Sequence, residues 1–143
     1  MRGITHILIA LVFLLFFKVS MLFNAVFIIF TLLPDIDSSN SIIGRRLYPI
    51  SKLIEFLFGH RGIFHGILIP LTVSIILLLL GLKLIAIAAF LGYLLHLLVD
   101  AMTISGVNIF GVRIKGFIKT DGIIEFVIDI ILLIIIVLEF YII

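Results

Sequence analysis

The sequence predicts an all-α, polytopic integral membrane protein with about five transmembrane helices and a short interfacial helix. Composition is the first observation, because 64% of the 143 residues are hydrophobic and 13% are charged. Soluble domains average about 45–50% apolar and about 25% charged residues, and a soluble domain of this size cannot bury so much apolar surface. The second observation is a series of long apolar segments separated by polar stretches. Together they exclude a soluble globular protein, a disordered chain and a coiled coil.

Five apolar segments are the predicted spans: residues 4–17, 19–33, 63–80, 84–99 and 122–143. The first two are short for a hydrocarbon core of about 30 Å. They form either one long helix with Lys18 near its middle or a hairpin that turns at Lys18-Val19-Ser20. Because a lysine at mid-bilayer is costly, we predict the hairpin. No small-residue cleavage site follows Lys18, so the first segment is expected to be a retained helix and not a signal peptide.

Polar stretches complete a single membrane domain over residues 1–143. It consists of a helical hairpin (4–33), a polar loop with the interfacial helix (34–62), a second hairpin (63–99), a loop (101–121) and the last span (122–143). Within the first loop, a short apolar piece at 52–58 ends at Gly59, which predicts an interfacial or re-entrant helix. The second loop is rich in Gly and β-branched residues, which indicates a small hairpin or an irregular loop. Pro70 is expected to kink the third span.

The distribution of basic residues predicts the orientation of these spans. With this layout, eight of the ten Lys and Arg residues lie on one side of the membrane and only Lys18 and Lys83 on the other. Positive charge accumulates on the cytoplasmic side, so the N-terminus and both long loops are predicted to be cytoplasmic and the C-terminus outside, in the plasma (inner) membrane of a prokaryote. The basic residues form no stripe with stacking aromatics, so no nucleic-acid partner is expected.

Histidines and carboxylates gather at the same cytoplasmic level. All four His residues lie at cytoplasmic ends of spans, and Glu139 is the one acid placed on the other side. Positive-inside bias does not explain this, because Asp and Glu contribute little to orientation. A metal cluster would compensate the charge. With no Cys in the chain, imidazole and carboxylate would hold the ion, which suits zinc first and manganese or iron next.

Spacing favours the same interpretation. His96 and Asp100 are four residues apart on one helix and so share a face. Asp35 and Asp37 follow Pro34, where alternating residues of an extended loop point the same way, and His60 and His65 bracket a turn at Gly62. At least six candidate ligands exceed the need of one tetrahedral ion, so two or more ions are expected. In the last span, Asp129, with Glu125 four residues earlier, either supports this site or pairs with a Lys.

A faint internal repeat relates the two hairpins. Each begins with a His, His6 or His65, and finishes with Leu-Leu-x-Asp, at Asp35 or Asp100. We hypothesise that two hairpins related by an axis along the membrane normal each donate one His and one Asp to a shared site. His6 and His65 must then lie close together.

These motifs resemble those of the YdjM-type inner-membrane family, described as LexA-regulated, membrane-bound metal-dependent hydrolases. The matching stretches, which span about residues 5–106 in order, are Thr5-His6, Leu33-Pro34-Asp35-Ile36-Asp37, Ser41-Ile42-Ile43-Gly44-Arg45-Arg46-Leu47, Phe58-Gly59-His60-Arg61-Gly62 with His65, and Gly92-x-x-x-His96-x-x-x-Asp100-x-x-Thr103-x-x-Gly106. The resemblance implies a polytopic helical protein with His and Asp ligands. Carried over by position, the ligand set is His6, Asp35, Asp37, His60, His65, His96 and Asp100. Phe64 and Gly66 stand where Thr and Ser are expected, and Ser38 stands where many members have His.

The leading functional hypothesis is a metal-dependent hydrolase acting at the cytoplasmic membrane interface on a phosphoester or other lipid-linked substrate. The ion would activate water, one of Asp35, Asp37 and Asp100 would be the general base, and Arg61 would stabilise charge on the substrate. The alternative is a metal-ion transporter or a metal-binding membrane protein without hydrolytic activity. A transporter needs ionisable residues through the full depth of the membrane, and the outer half offers only Glu139 and Lys83. A purely structural membrane partner leaves the clustering unexplained.

Overall fold

The computed structural model describes residues 1–58, 63–109 and 112–142, which are mostly helical. The helices and strands in chain order are α1 (Gly3–Phe17), α2 (Met21–Leu32), α3 (Ile42–Arg46), α4 (Tyr48–Phe58), α5 (Leu68–Leu79), α6 (Lys83–Ala101), β1 (Val107–Ile109), β2 (Val112–Ile114) and α7 (Ile123–Ile142). Two 3-10 helices, Leu33–Asp37 and Ile63–His65, precede α3 and α5.

The predicted turn between the first two helices is present at residues 18–20. Lys18 ends α1 in the left-handed region, with φ of 42°, and its N–H donates to the Leu14 carbonyl at 3.2 Å. Ser20 then caps α2 by accepting from the Phe23 N–H at 3.3 Å, which satisfies one of the unpaired donors at a helix start. The lysine is therefore in a turn between two helices, as its charge requires.

Between α2 and α5 the chain forms more helix than the sequence suggested. The predicted interfacial helix at 52–58 is α4, and it begins earlier, at Tyr48. Pro49 lies in its first turn, where a missing N–H breaks no helical hydrogen bond. The polar side of α4 faces the protein, with Ser51 donating to the Ile36 carbonyl at 2.7 Å. Large apolar side chains, including Phe56 at 84% exposure, face outward.

Small residues allow α6 to pack closely against α2. Ala88 and Ala89 of α6 are fully buried, and a Cβ atom added to Gly92 would lie 2.3 Å from the Phe27 carbonyl oxygen. Small residues at such positions are the usual means of close helix approach in membrane proteins. Because His96 and Asp100 follow one and two turns after Gly92, this contact fixes how deeply their side chains enter the space beside α2.

The third predicted span is shorter than expected. Residues 63–65 form a 3-10 helix, and α5 begins only at Leu68. Pro70 is therefore the third residue of α5 and not a residue of its interior. Its missing N–H leaves no helical bond unmade there, so the expectation of a mid-span kink was wrong.

The predicted hairpin in the 101–121 loop is confirmed. Strands β1 and β2 are antiparallel, with Val107 opposite Ile114. The loop returns beside α6, where Thr103 forms a bridge with Ile118. This places the start of α7 next to the start of α1, against which α7 packs.

Length and composition separate α6 from the other helices. Within the described ranges, α6 is the one helix both long and apolar enough to cross a bilayer, whereas α1 and α5 are apolar but shorter. The helical class is thus confirmed, and the arrangement with five spans stays a prediction.

Candidate metal centre

Four separate parts of the fold bring the predicted ligands together. His6 comes from the first turns of α1, Asp35 and Asp37 from the 3-10 helix after α2, His65 from the 3-10 helix before α5, and His96 and Asp100 from the end of α6. Their ligand atoms form two overlapping groups, each within 4.8 Å: His6, His96 and Asp100, and Asp35, His65 and His96. Asp35 is partly exposed and the others are buried. His60 and Arg61 lie outside the described residues.

The two central imidazoles, His65 and His96, face each other through their Nε2 atoms, 3.4 Å apart. His96 Nδ1 lies 2.8 Å from the Thr31 carbonyl oxygen, and His65 Nδ1 lies 2.9 Å from Asp37 Oδ2. Both of these partners accept hydrogen bonds, so each Nδ1 is the donor and each Nε2 is the ring atom directed at the other imidazole. A cation or a shared proton between the two Nε2 atoms would stabilise this approach.

Asp100 connects these two rings to His6. Its Oδ2 lies 3.6 Å from His65 Nε2 and 3.9 Å from His96 Nε2, and its Oδ1 lies 3.3 Å from His6 Nε2. The Met1 amino group also contacts Oδ1. The repeat hypothesis required His6 and His65 to be neighbours, and they approach the same carboxylate.

His6 is buried without hydrogen bonds. Its ring stacks on His96 with centroids 4.0 Å apart, and among the described residues neither of its ring nitrogens has a hydrogen-bond partner. Its Nε2 contacts Asp100 Oδ1 at an ion-pair distance of 3.3 Å. A buried polar atom without a partner is costly, and coordination of an ion would satisfy it.

The separations between ligand atoms fit a small divalent ion. Zn–N bonds of about 2.0–2.1 Å in a tetrahedron place neighbouring ligand atoms about 3.3 Å apart. The separation of 3.3 Å from His6 to Asp100 Oδ1 and that of 3.4 Å between His65 and His96 are close to that value, and those of 3.6 and 3.9 Å from His65 and His96 to Asp100 Oδ2 are slightly longer. The residues present therefore fit a bound metal ion.

Asp35 and Asp37 take different positions, contrary to the expectation that they point the same way. Residues 33–37 are not extended but form a 3-10 helix, which has three residues per turn, so residues two apart diverge. Asp37 is buried behind His65. Asp35 Oδ1 lies 3.8 Å from His96 Nε2 at the edge of the cluster, and burial raises the pKa of its carboxyl above the ordinary range.

A second polar cluster joins α7 to the start of α1. Glu125 is fully buried and accepts from the Arg2 N–H at 2.6 Å, from Thr5 Oγ1 at 3.0 Å and from the Asp121 N–H at 2.7 Å. The Arg2 guanidinium lies 2.5 Å from Asp129. Of the two interpretations of Asp129, pairing with a basic residue holds, although the partner is Arg2 and not a Lys. Glu125 fixes the turn that carries His6, a role the sequence did not reveal.

The fold and the cluster define a class: a helical membrane protein with buried imidazoles and carboxylates of metal-ligating type. The family model described as "YdjM inner membrane protein" matches residues 1–136, and the chain belongs to this family. Its location is accordingly the prokaryotic inner membrane.

Curated relatives agree with this membership. The chain is 44% identical over 85 residues to "Inner membrane protein YdjM" of Escherichia coli (strain K12), covering 53% of this chain and 42% of that protein. The protein of the same name from Shigella flexneri matches equally. "Uncharacterized protein YvsG" of Bacillus subtilis (strain 168) is 32% identical over 97 residues, covering 64% of this chain and 61% of that protein. The chain thus spans about two fifths of the length of the YdjM proteins it matches. No solved structure matches it.

Proposed function

We propose that this protein is a membrane-embedded, metal-dependent hydrolase whose centre is built by His6, His65, His96 and Asp100. The observation that carries the proposal is the 3.4 Å approach of two imidazole Nε2 atoms whose Nδ1 protons are both donated elsewhere. A cation or a shared proton between the rings would stabilise this arrangement, and the Asp100 carboxylate 3.6 and 3.9 Å from the two Nε2 atoms supports the cation.

The number of ions follows from how the ligands are shared. His96 Nε2 belongs to both groups of three, and one lone pair binds one ion. The described residues therefore supply one well-formed site, and a second ion would need ligands from outside them, such as His60. Zinc is the first candidate because imidazole and carboxylate at these separations suit it.

Each surrounding residue has a distinct task in this proposal. Asp37 is a positioning residue, because its hydrogen bond to Nδ1 fixes the tautomer and rotation of His65. The Thr31 carbonyl does the same for His96. Asp35 is the carboxylate closest to the protein surface, so its Oδ1 is the atom proposed to take the proton from the attacking water. Burial raises the pKa of Asp35, which favours holding that proton.

A bound divalent ion would supply Lewis acidity at this centre. The orientation predicted from the basic residues places the centre at the cytoplasmic membrane interface. Apolar side chains on the outer side of α4 support contact with lipid beside it. A phosphoester or another lipid-linked substrate is therefore the proposed substrate class, and Arg61 keeps its proposed role in stabilising substrate charge.

Elemental analysis of the purified protein tests the proposal. Wild type is expected to retain about one zinc, manganese or iron ion per chain, and the double variant His96→Ala, Asp100→Ala is expected to lose it. Glu139→Gln, which changes a carboxylate near the other end of α7, is the matched control and should retain the ion. Equal metal content in wild type and double variant would overturn the metal centre.

A measurement of turnover then distinguishes the two candidate functions, a hydrolase and a metal-ion transporter. Phosphate release from phosphatidic acid in nanodiscs is expected for wild type and Glu139→Gln and not for the double variant. Zinc flux into proteoliposomes without phosphate release would instead favour the transporter.

A further inference from the structure

A cavity of about 380 Å³ opens beside Asp35 at the same end of the molecule as the metal centre. Its walls are the first residues of α1, the segment from Ser38 to Arg45, and the turn at Thr120 and Asp121. Binding sites for small ligands begin at about 300 Å³, so this volume suits a small polar group. Because Asp35 lines the cavity and also approaches His96, a ligand in the cavity would reach the edge of the metal centre.

The charges around this cavity favour an anion once the centre is loaded. Arg2 and Asp121 approach each other at 3.7 Å, and the Arg2 guanidinium is already paired with Asp129. A bound divalent ion would compensate the charge of Asp35. Arg45 differs from Arg2 in its partners. Among the described residues, its side chain donates one hydrogen bond, from Nε to the Ser41 carbonyl at 3.4 Å, and no carboxylate pairs with it. Its guanidinium is thus available to a ligand.

The local fold holds Arg45 beside Asp35. Ser41 Oγ donates to the Asp35 carbonyl at 2.7 Å and accepts from the Gly44 N–H at 2.8 Å, which ties the start of α3 to the backbone of Asp35. A Cβ atom at Gly44 would lie 1.9 Å from the Ser38 carbonyl oxygen, so the close approach of α3 to Ser38 requires glycine. Arg45 follows immediately and extends from a fixed backbone.

Uncharged polar side chains also line this cavity. Ser38 and Asn40 lie in its wall, and Asn40 is exposed. Both side chains can donate hydrogen bonds to the oxygens of an oxyanion.

We propose that this cavity binds the phosphate group of a phosphate ester and that Arg45 anchors it next to Asp35. The proposal rests on the proposed hydrolase function and assigns its substrate class and a binding residue. Arg45 suits the task because a guanidinium forms two parallel hydrogen bonds with phosphate. The phosphate could belong to a lipid headgroup or to a water-soluble ester.

Phosphate binding by the full chain, zinc-loaded in detergent micelles, tests this assignment. Isothermal titration with a non-hydrolysable phosphonate analogue of glycerol 3-phosphate measures the soluble source, and competition by the phosphonate analogue of phosphatidic acid added to the micelles measures the lipid source. Arg45→Ala is expected to weaken binding about tenfold or more, the usual effect of losing hydrogen bonds to a charged group. Arg45→Lys should recover part of the loss. Arg46→Ala is the matched control, because Arg46 is the next residue of α3, is exposed and does not line the cavity.

The outcomes separate this inference from the proposed function. If Arg45→Ala binds both compounds like wild type and Arg46→Ala while zinc and turnover are intact, the cavity assignment is wrong and the hydrolase stands. If neither compound binds to wild type, the cavity assignment is wrong, and the zinc content decides the metal centre separately. If binding depends on Arg45 but the protein holds no metal and releases no phosphate, the cavity assignment stands and the hydrolase is wrong. Circular dichroism of each variant confirms that the helices are retained.

Discussion

Replacing Gly92 by Ala tests the link between helix packing and the metal centre. The new Cβ atom would lie 2.3 Å from the Phe27 carbonyl oxygen, whereas real Cβ contacts are at least 3.0 Å. The difference requires α2 and α6 to separate locally by about 0.7 Å. Forced overpacking of this kind costs about 1–3 kcal/mol.

The same displacement reaches His96, one turn further along α6. Its Nδ1 lies 2.8 Å from the carbonyl of Thr31, which in turn lies one turn beyond Phe27 on α2. A separation of about 0.7 Å stretches this hydrogen bond to about 3.5 Å, where it is largely lost. Metal sites tolerate errors in ligand distance of about 0.2 Å, so zinc affinity should fall by at least about tenfold.

Thermal unfolding followed by circular dichroism and zinc competition against a chelator measure the two effects. Leu98→Ala is the control, since it alters the size of a side chain on the same helix that is 58% exposed, and it should change neither quantity. A Gly92→Ala protein with the melting temperature and zinc affinity of wild type would refute the reasoning, because the two helices could then separate without cost to the centre.

Two further substitutions test the residues around the centre. Asp37→Asn keeps the size of the side chain but removes the charge that accepts from His65 Nδ1, so zinc affinity should fall about 10- to 100-fold, measured by the same competition titration. An unchanged affinity would show that Asp37 does not position His65. Glu125→Ala leaves three donors on Arg2, Thr5 and Asp121 without their acceptor, which should lower stability by about 2–4 kcal/mol and reduce the melting temperature. Glu139→Ala, near the other end of α7, should have little effect, and equal loss in both variants would contradict the role given to Glu125.

Much of the helical fold and the grouping of several candidate ligands was predictable because it depends on local patterns. The turn at Lys18 follows from the cost of burying a charge in lipid. The pairing of His96 with Asp100 follows from helical periodicity. The hairpin around Val107 and Ile114 follows from β-branched residues flanked by glycine. None of these requires knowledge of how distant segments meet.

The parts that could not be predicted depend on local conformation or on backbone atoms. Asp35 and Asp37 differ in position because their segment is a 3-10 helix and not an extended loop. The hydrophobic pattern of the sequence does not distinguish these two conformations. The acceptor for His96 Nδ1 is the main-chain carbonyl of Thr31. Because every residue has such a carbonyl, the sequence does not identify this one as the acceptor. Glu125 lies 120 residues from Thr5 in sequence, so only the folded chain shows that they meet.

The energetics of the cluster favour its interpretation as a binding site for an ion. Three carboxylates, of Asp35, Asp37 and Asp100, lie with three imidazoles at the ends of apolar helices, where desolvated charge is expensive. Apolar side chains of similar volume are often neutral or stabilising at such positions, so stability alone is a weak reason for such a cluster. Two of its imidazoles face each other at 3.4 Å through Nε2, an approach that a cation or a shared proton would stabilise. Gly92, Asp37 and the Thr31 carbonyl maintain this arrangement, and binding of the proposed ion would recover the free energy that it costs.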